Sequence, residues 1–118
     1  MKLTISTSAL RRESKGIVYI LELDLEDKKV IKVGYTERTR VEDRVCEILV
    51  SIWKRYRIFP QCYVKRYKSF DSPAVKEQSL HKLLEEFRYK PKYTFSGSTE
   101  LFDVPLEHVV DLYDKLSN

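Results

Sequence analysis

The chain has 118 residues, 42% of them hydrophobic and 34% charged, with a formal net charge of +4. That length suits one domain with a core of its own, and the positive surplus favours an anionic partner such as nucleic acid. Two cysteines, Cys46 and Cys62, exclude a disulfide framework and fit a reducing, cytoplasmic setting. No apolar run approaches the roughly 18 residues of a membrane span, so no membrane partner is expected.

In chain order, residues 1–15 have no apolar stretch of the signal-peptide kind and read as an N-terminal arm or edge strand. Residues 16–118 then read as a single domain. Residues 16–23 and 29–35, rich in Val, Ile and Tyr, predict a hairpin whose charged connection is not of the tight Asn-Gly type. Thr39 with Glu42 forms a capping box and predicts a helix over 40–56, with Val41, Val45, Ile48, Leu49, Ile52 and Trp53 as its core stripe. Residues 61–69 predict a third strand with Tyr63, Lys65 and Tyr67 on one face. Ser72 and Pro73 open a second helix running to about Tyr89, its buried stripe Leu80, Leu83, Leu84 and Phe87. Glu100 to Val104 read as a short edge strand, and a final helix starts at Pro105. The expected fold class is therefore α/β, a small, mainly antiparallel three-stranded sheet flanked by helices.

Two of the three glycines, Gly16 and Gly34, stand in the paired strands, each with a tyrosine nearby, Tyr19 and Tyr35. The ordered set Gly16-Ile17-Val18-Tyr19, Lys32-Val33-Gly34-Tyr35-Thr36, Arg44, Glu77, His81 and Glu100-Leu101-Phe102 resembles the GIY-YIG endonuclease superfamily, in the branch common in phage proteins. The resemblance implies an endonuclease that hydrolyses phosphodiester bonds in duplex or branched DNA with one Mg²⁺ or Mn²⁺ held by Glu77. It implies Arg44 on the phosphate, and Tyr19 or Tyr35, assisted by Lys32 and His81, activating water. Val18 and Lys32 stand where the superfamily usually has its tyrosines, so the identity of the general base stays open.

The residues themselves carry compatible chemistry. A lone carboxylate can hold a magnesium ion that keeps most of its waters, and a guanidinium offers a fork to phosphate. A tyrosine hydroxyl serves as a base only beside a cation that lowers its pKa. Each residue also has a plain structural reading: strand aromatics for Tyr19 and Tyr35, surface charges for Arg44 and Glu77, a boundary histidine for His81. Cys46, Cys62, His81 and His108 have no spacing resembling a metal knuckle. Basic residues interleave with aromatics around Lys54 and Arg55, Lys65 and Arg66, and Arg88, Lys90 and Lys92, a pattern suited to phosphate contact and base stacking. Two alternatives remain: a nucleic-acid-binding module of the same fold with reduced catalysis, and a small protein–protein interaction domain. Dimerisation would be one way for so small a domain to gain specificity.

Overall fold

A computed structural model describes residues 15–117. The proposed N-terminal arm, apart from Lys15, lies outside the described residues.

The chain forms β1 (Gly16–Leu25), β2 (Lys28–Thr36), α1 (Val41–Tyr56), β3 (Cys62–Phe70), α2 (Pro73–Leu83), β4 (Leu101–Phe102) and α3 (Leu106–Leu116), with short 3-10 turns at Glu85–Phe87 and Ser98–Glu100. The sheet has four strands in the order β3-β1-β2-β4, and every pairing is antiparallel. The α/β class with helices around an antiparallel sheet is as expected. The fourth strand, only two residues long, enlarges the expected three-stranded sheet.

The central strands are buried on both faces because their apolar residues run continuously rather than alternating. Val18, Ile20, Ile31 and Val33 pack with Leu80 and Leu84 of α2, Phe102, and Val109 and Tyr113 of α3. Tyr19, Leu21, Leu23, Leu25 and Val30 point the other way, onto Val41, Ile48 and Ile52 of α1 and onto Phe95. One helix therefore covers one face and two cover the other.

Several local expectations are corrected. The hairpin connection is tight: Leu25 pairs with Lys28, and the two turn residues Glu26 and Asp27 both have positive φ, 55° and 62°. That is the backbone of a turn that usually favours Asn-Gly. Here the Glu26 carboxylate supports it by accepting hydrogen bonds from the Tyr56 and Tyr89 hydroxyls and from the Lys92 backbone N–H.

The Thr39–Glu42 capping box is not formed. The N-cap of α1 is Arg40, with no side-chain cap bond, so Thr39 lies one residue too early to reach the first turn. Trp53 is exposed and stacks on Phe59, and Leu83 is exposed as well. α2 stops at Leu83 rather than near Tyr89 because the following backbone turns to β4. There the Tyr89 N–H donates to the Leu101 carbonyl (2.9 Å), and the Asp103 N–H donates to the Phe87 carbonyl (2.8 Å).

Tyr63, Lys65 and Tyr67 do not share a face. The β1–β3 register shifts by one residue between Ile20 and Leu21, leaving Tyr63 opposite Glu22 and Tyr67 opposite Tyr19. A bulge of this kind switches which side of the sheet the later residues occupy.

Candidate active site

The sheet alternation decides which residues meet. Tyr19 pairs with Gly34 and Leu21 with Lys32, so the Tyr19 and Lys32 side chains rise from the face that α1 covers. Val18, one residue earlier, lies in the opposite core.

Gly34 is needed at its position by close approach. A Cβ there would stand 2.6 Å from the Tyr19 hydroxyl oxygen and 3.0 Å from Lys32 Nζ. Gly97 is needed twice over, since its φ is +81° and a Cβ would lie 2.6 Å from both Cε and Nζ of Lys32. Between these two glycines Lys32 is fully buried and forms an ion pair with Glu100. The ammonium also lies 5.5 Å from the centre of the Tyr19 ring.

Arg44, in the first half of α1, reaches into the same cluster with a side chain 24% exposed. Its Nη1 donates to the Ser96 hydroxyl (3.0 Å), and the Ser96 N–H in turn donates to the Ser51 hydroxyl (2.8 Å). α1 and the loop before β4 therefore hold the guanidinium jointly. Glu77 comes from α2. It is buried, and its Oε2 has no hydrogen-bond partner.

Electrostatics separates these groups. Burial, then the facing Glu100 carboxylate, pushes the Glu77 carboxyl up to about 7, while Lys32 and the Tyr35 backbone pull the other way. Burial pushes the Tyr19 hydroxyl up to about 12 against the pull of Arg44. That hydroxyl has no hydrogen-bond partner of good geometry, although the guanidinium is close enough to favour its ionised form. Burial draws Lys32 below the ordinary lysine value, opposed by Glu100.

The remaining expected site residues lie apart from this cluster. Tyr35 pairs with Val18, so its half-exposed ring is on the opposite face from Tyr19. The His81 Nε2–H donates to the Val33 carbonyl (2.7 Å), and the ring packs 5.3 Å from Phe102. Burial lowers the pKa of this imidazole, which favours the neutral ring that ties α2 to β2. Gly16 starts β1 opposite Phe70.

The basic residues do not form one surface. Arg55 and Lys92 flank Tyr93, at 5.7 and 5.5 Å from its ring centre. Lys54 is exposed on α1 and Lys90 on the loop after α2. Arg88 is tied to Glu85 (3.0 Å) and to the Thr99 carbonyl. Lys65 and Arg66 pair with Glu22 (3.8 Å) and Asp114 (3.1 Å), on the face away from α1.

Four participants carried no strong sequence signal: Ser51, Ser96, Gly97 and Glu47, whose carboxylate touches Arg44 at 3.3 Å. Gly97 had one clue, being the third and last glycine in a loop near Glu100.

A divalent cation fits the donor set in one respect: Glu77 presents a buried, unpartnered carboxylate oxygen beside a second carboxylate, Glu100. Among the described residues no group of three or more His, Cys, Asp or Glu side chains gathers as a metal cage. Two carboxylates suit a hard ion that keeps several waters better than one enclosed by protein.

Fold and site together define a small α/β domain with a buried acid–base cluster at one end of its sheet. The chain belongs to the T5orf172 domain family, whose model matches residues 16–117. No match was found among curated proteins or among solved structures. No helix among the described residues is long and apolar enough to cross a membrane.

Proposed function

We propose that this protein is a divalent-metal-dependent endonuclease that hydrolyses phosphodiester bonds in DNA by GIY-YIG-like chemistry. The observation that carries the reading is the meeting of Tyr19, Lys32, Arg44, Glu77 and Glu100 with one carboxylate oxygen left unpaired. A buried carboxylate without a partner costs stability, and such a cost is typical of working sites. The phage-associated T5orf172 domain, met in nuclease-related contexts, supports a nucleic-acid substrate.

In this reading Arg44 binds a non-bridging phosphate oxygen, held in aim by Ser96. Glu77 and Glu100 hold one Mg²⁺ or Mn²⁺, which would supply charge neutralisation at the phosphate and a more acidic bound water. Lys32 supports Glu100 and lowers the cost of ionising the Tyr19 hydroxyl above Gly34. Tyr19 is the group placed to take a proton from the attacking water. His81 acts through structure, fixing β2 against α2. The value of about 12 for Tyr19 means that the hydroxyl needs a further cation to work at neutral pH. The same value favours a second reading, a nucleic-acid-binding module without hydrolysis.

The deciding experiment is cleavage of plasmid and branched DNA with Mg²⁺ or Mn²⁺ by the unmodified protein, Glu77→Ala and Arg44→Ala. Loss of about 10²-fold or more in each variant is expected. Cleavage that persists in both variants would sink the site assignment, and DNA binding without cleavage by the unmodified protein would favour the second reading.

A further inference from the structure

We propose that Arg38 and Arg44 form a two-guanidinium clamp for one backbone phosphate of nucleic acid, and that Glu47 occupies the place of that phosphate in the free protein. The inference rests on the nucleic-acid reading above and extends it to a second phosphate-binding residue and a built-in competitor.

The geometry is that of one anion held by two forks. Arg38 Nη2 hydrogen-bonds Glu47 Oε2, while Arg44 Nη1 lies 3.3 Å from Glu47 Oε1, so each oxygen of a single carboxylate takes one arginine. The two non-bridging oxygens of a phosphodiester offer the same pair of acceptors on one centre. Both arginines are anchored independently of Glu47. The Arg38 backbone N–H donates to the buried Thr36 hydroxyl (3.1 Å), rooting the loop between β2 and α1, and Arg44 is also bound to Ser96. Removing the carboxylate therefore leaves the two guanidiniums near each other.

Charge favours the exchange. Two cations face one anion, so the trio keeps a net positive charge that an incoming phosphate can neutralise. Exposure makes the exchange easy, because Glu47 is 42% and Arg38 51% exposed and ion pairs in water hold weakly. Glu47 also sits three residues after Arg44 on a solvent-facing part of α1, so it can swing outward by a rotamer change without moving the backbone. Arg44 contacts Tyr19, so a phosphate in the clamp lies at the edge of the buried cluster.

The test is fluorescence anisotropy with a labelled duplex DNA oligonucleotide in EDTA, where hydrolysis does not interfere, over a series of salt concentrations. Glu47→Gln should bind about two- to fivefold tighter, and Arg38→Ala weaker by a similar factor. Arg38→Ala should also reduce the slope of log Kd against log salt by about 0.9, the signature of one lost phosphate contact. In the Arg38→Ala background, Glu47→Gln should add little, because its gain works through that arginine. Unchanged or weaker binding by Glu47→Gln, or an unchanged salt slope in Arg38→Ala, overturns the clamp while leaving the proposed function standing. Failure of every form to bind DNA at low salt overturns the proposed function and the clamp with it.

Discussion

The β1–β2 hairpin has a glutamate near each end, and the fold treats the two in opposite ways. At the turn, Glu26 accepts from two tyrosine hydroxyls and a backbone N–H, and these donors hold its carboxyl below the ordinary value against the effect of desolvation. Toward the open end, Glu77 is buried with one oxygen unpartnered and its carboxyl pushed up to about 7. Glu26 fastens a turn that has the wrong residues for its backbone. Glu77 is kept in a setting that lowers stability whenever the group is ionised. A carboxylate surrounded by donors is architecture, and one denied them is available for a ligand.

The largest effect that tests this contrast is on stability against pH in EDTA. Folding raises the Glu77 pKa from 4.5 to about 7, so between these values the folded protein holds more protons than the unfolded chain. The contribution of Glu77 to stability is therefore greatest below about pH 4.5 and is lost as pH rises through about 7, a change of about 3 kcal/mol. Glu77→Gln removes this term. The unfolding free energy of the unmodified protein minus that of the variant should fall steadily from pH 5 to pH 7.5. A difference that stays flat across this range would remove the claim that Glu77 is strained. At pH 7.5 and above, added Mg²⁺ should raise the melting temperature of the unmodified protein and leave the variant unchanged.

The turn end predicts a smaller effect of conventional sign. Glu26→Ala removes three hydrogen bonds from an exposed turn and should cost about 1–2 kcal/mol, with DNA cleavage untouched. Asp27→Gly should do the reverse. It relieves a positive φ of 62° without removing a hydrogen bond seen at that side chain, and should stabilise by about 1 kcal/mol. Urea titrations of the two variants measure both. If Glu26→Ala proves neutral, the three donors do not hold the turn.

Much of the fold was legible because its signals are local and repetitive. The run Gly16 to Leu23, the helical stripe Val41, Ile48, Ile52 and the Ser72-Pro73 start each follow from residue type and spacing alone. The failures have long-range causes. α2 ends early because the backbone of residues 87–89 pairs with β4, which follows a loop of some length. The face of Tyr67 depends on a bulge that no single strand announces. The site was legible in part for the same reason. Tyr19, Lys32, Arg44 and Glu77 stand in an order that the eye can follow, whereas Ser96, Gly97 and Glu47 matter only through what the fold brings beside them. Tyr35 looked equivalent to Tyr19 beside a glycine, yet strand alternation sends it to the other face.

The smallest predicted effect concerns a signal that the sequence offers and the fold leaves unused. Thr39 and Glu42 have capping-box spacing, and a working threonine cap contributes about 1 kcal/mol. α1 begins at Val41 with Arg40 as its N-cap, and no side chain caps it. The hydroxyl at work in this loop is that of Thr36, which accepts the Arg38 N–H from a buried position. Thr39→Ala should therefore change the unfolding free energy by less than about 0.5 kcal/mol. Thr36→Val, which strands the Arg38 N–H, should cost about 1 kcal/mol. It should also weaken DNA binding, because that bond roots the loop carrying Arg38. Chemical unfolding of the two variants side by side decides the matter. A loss of 1 kcal/mol or more in Thr39→Ala would mean that the capping box forms after all and that the loop ahead of α1 is held differently.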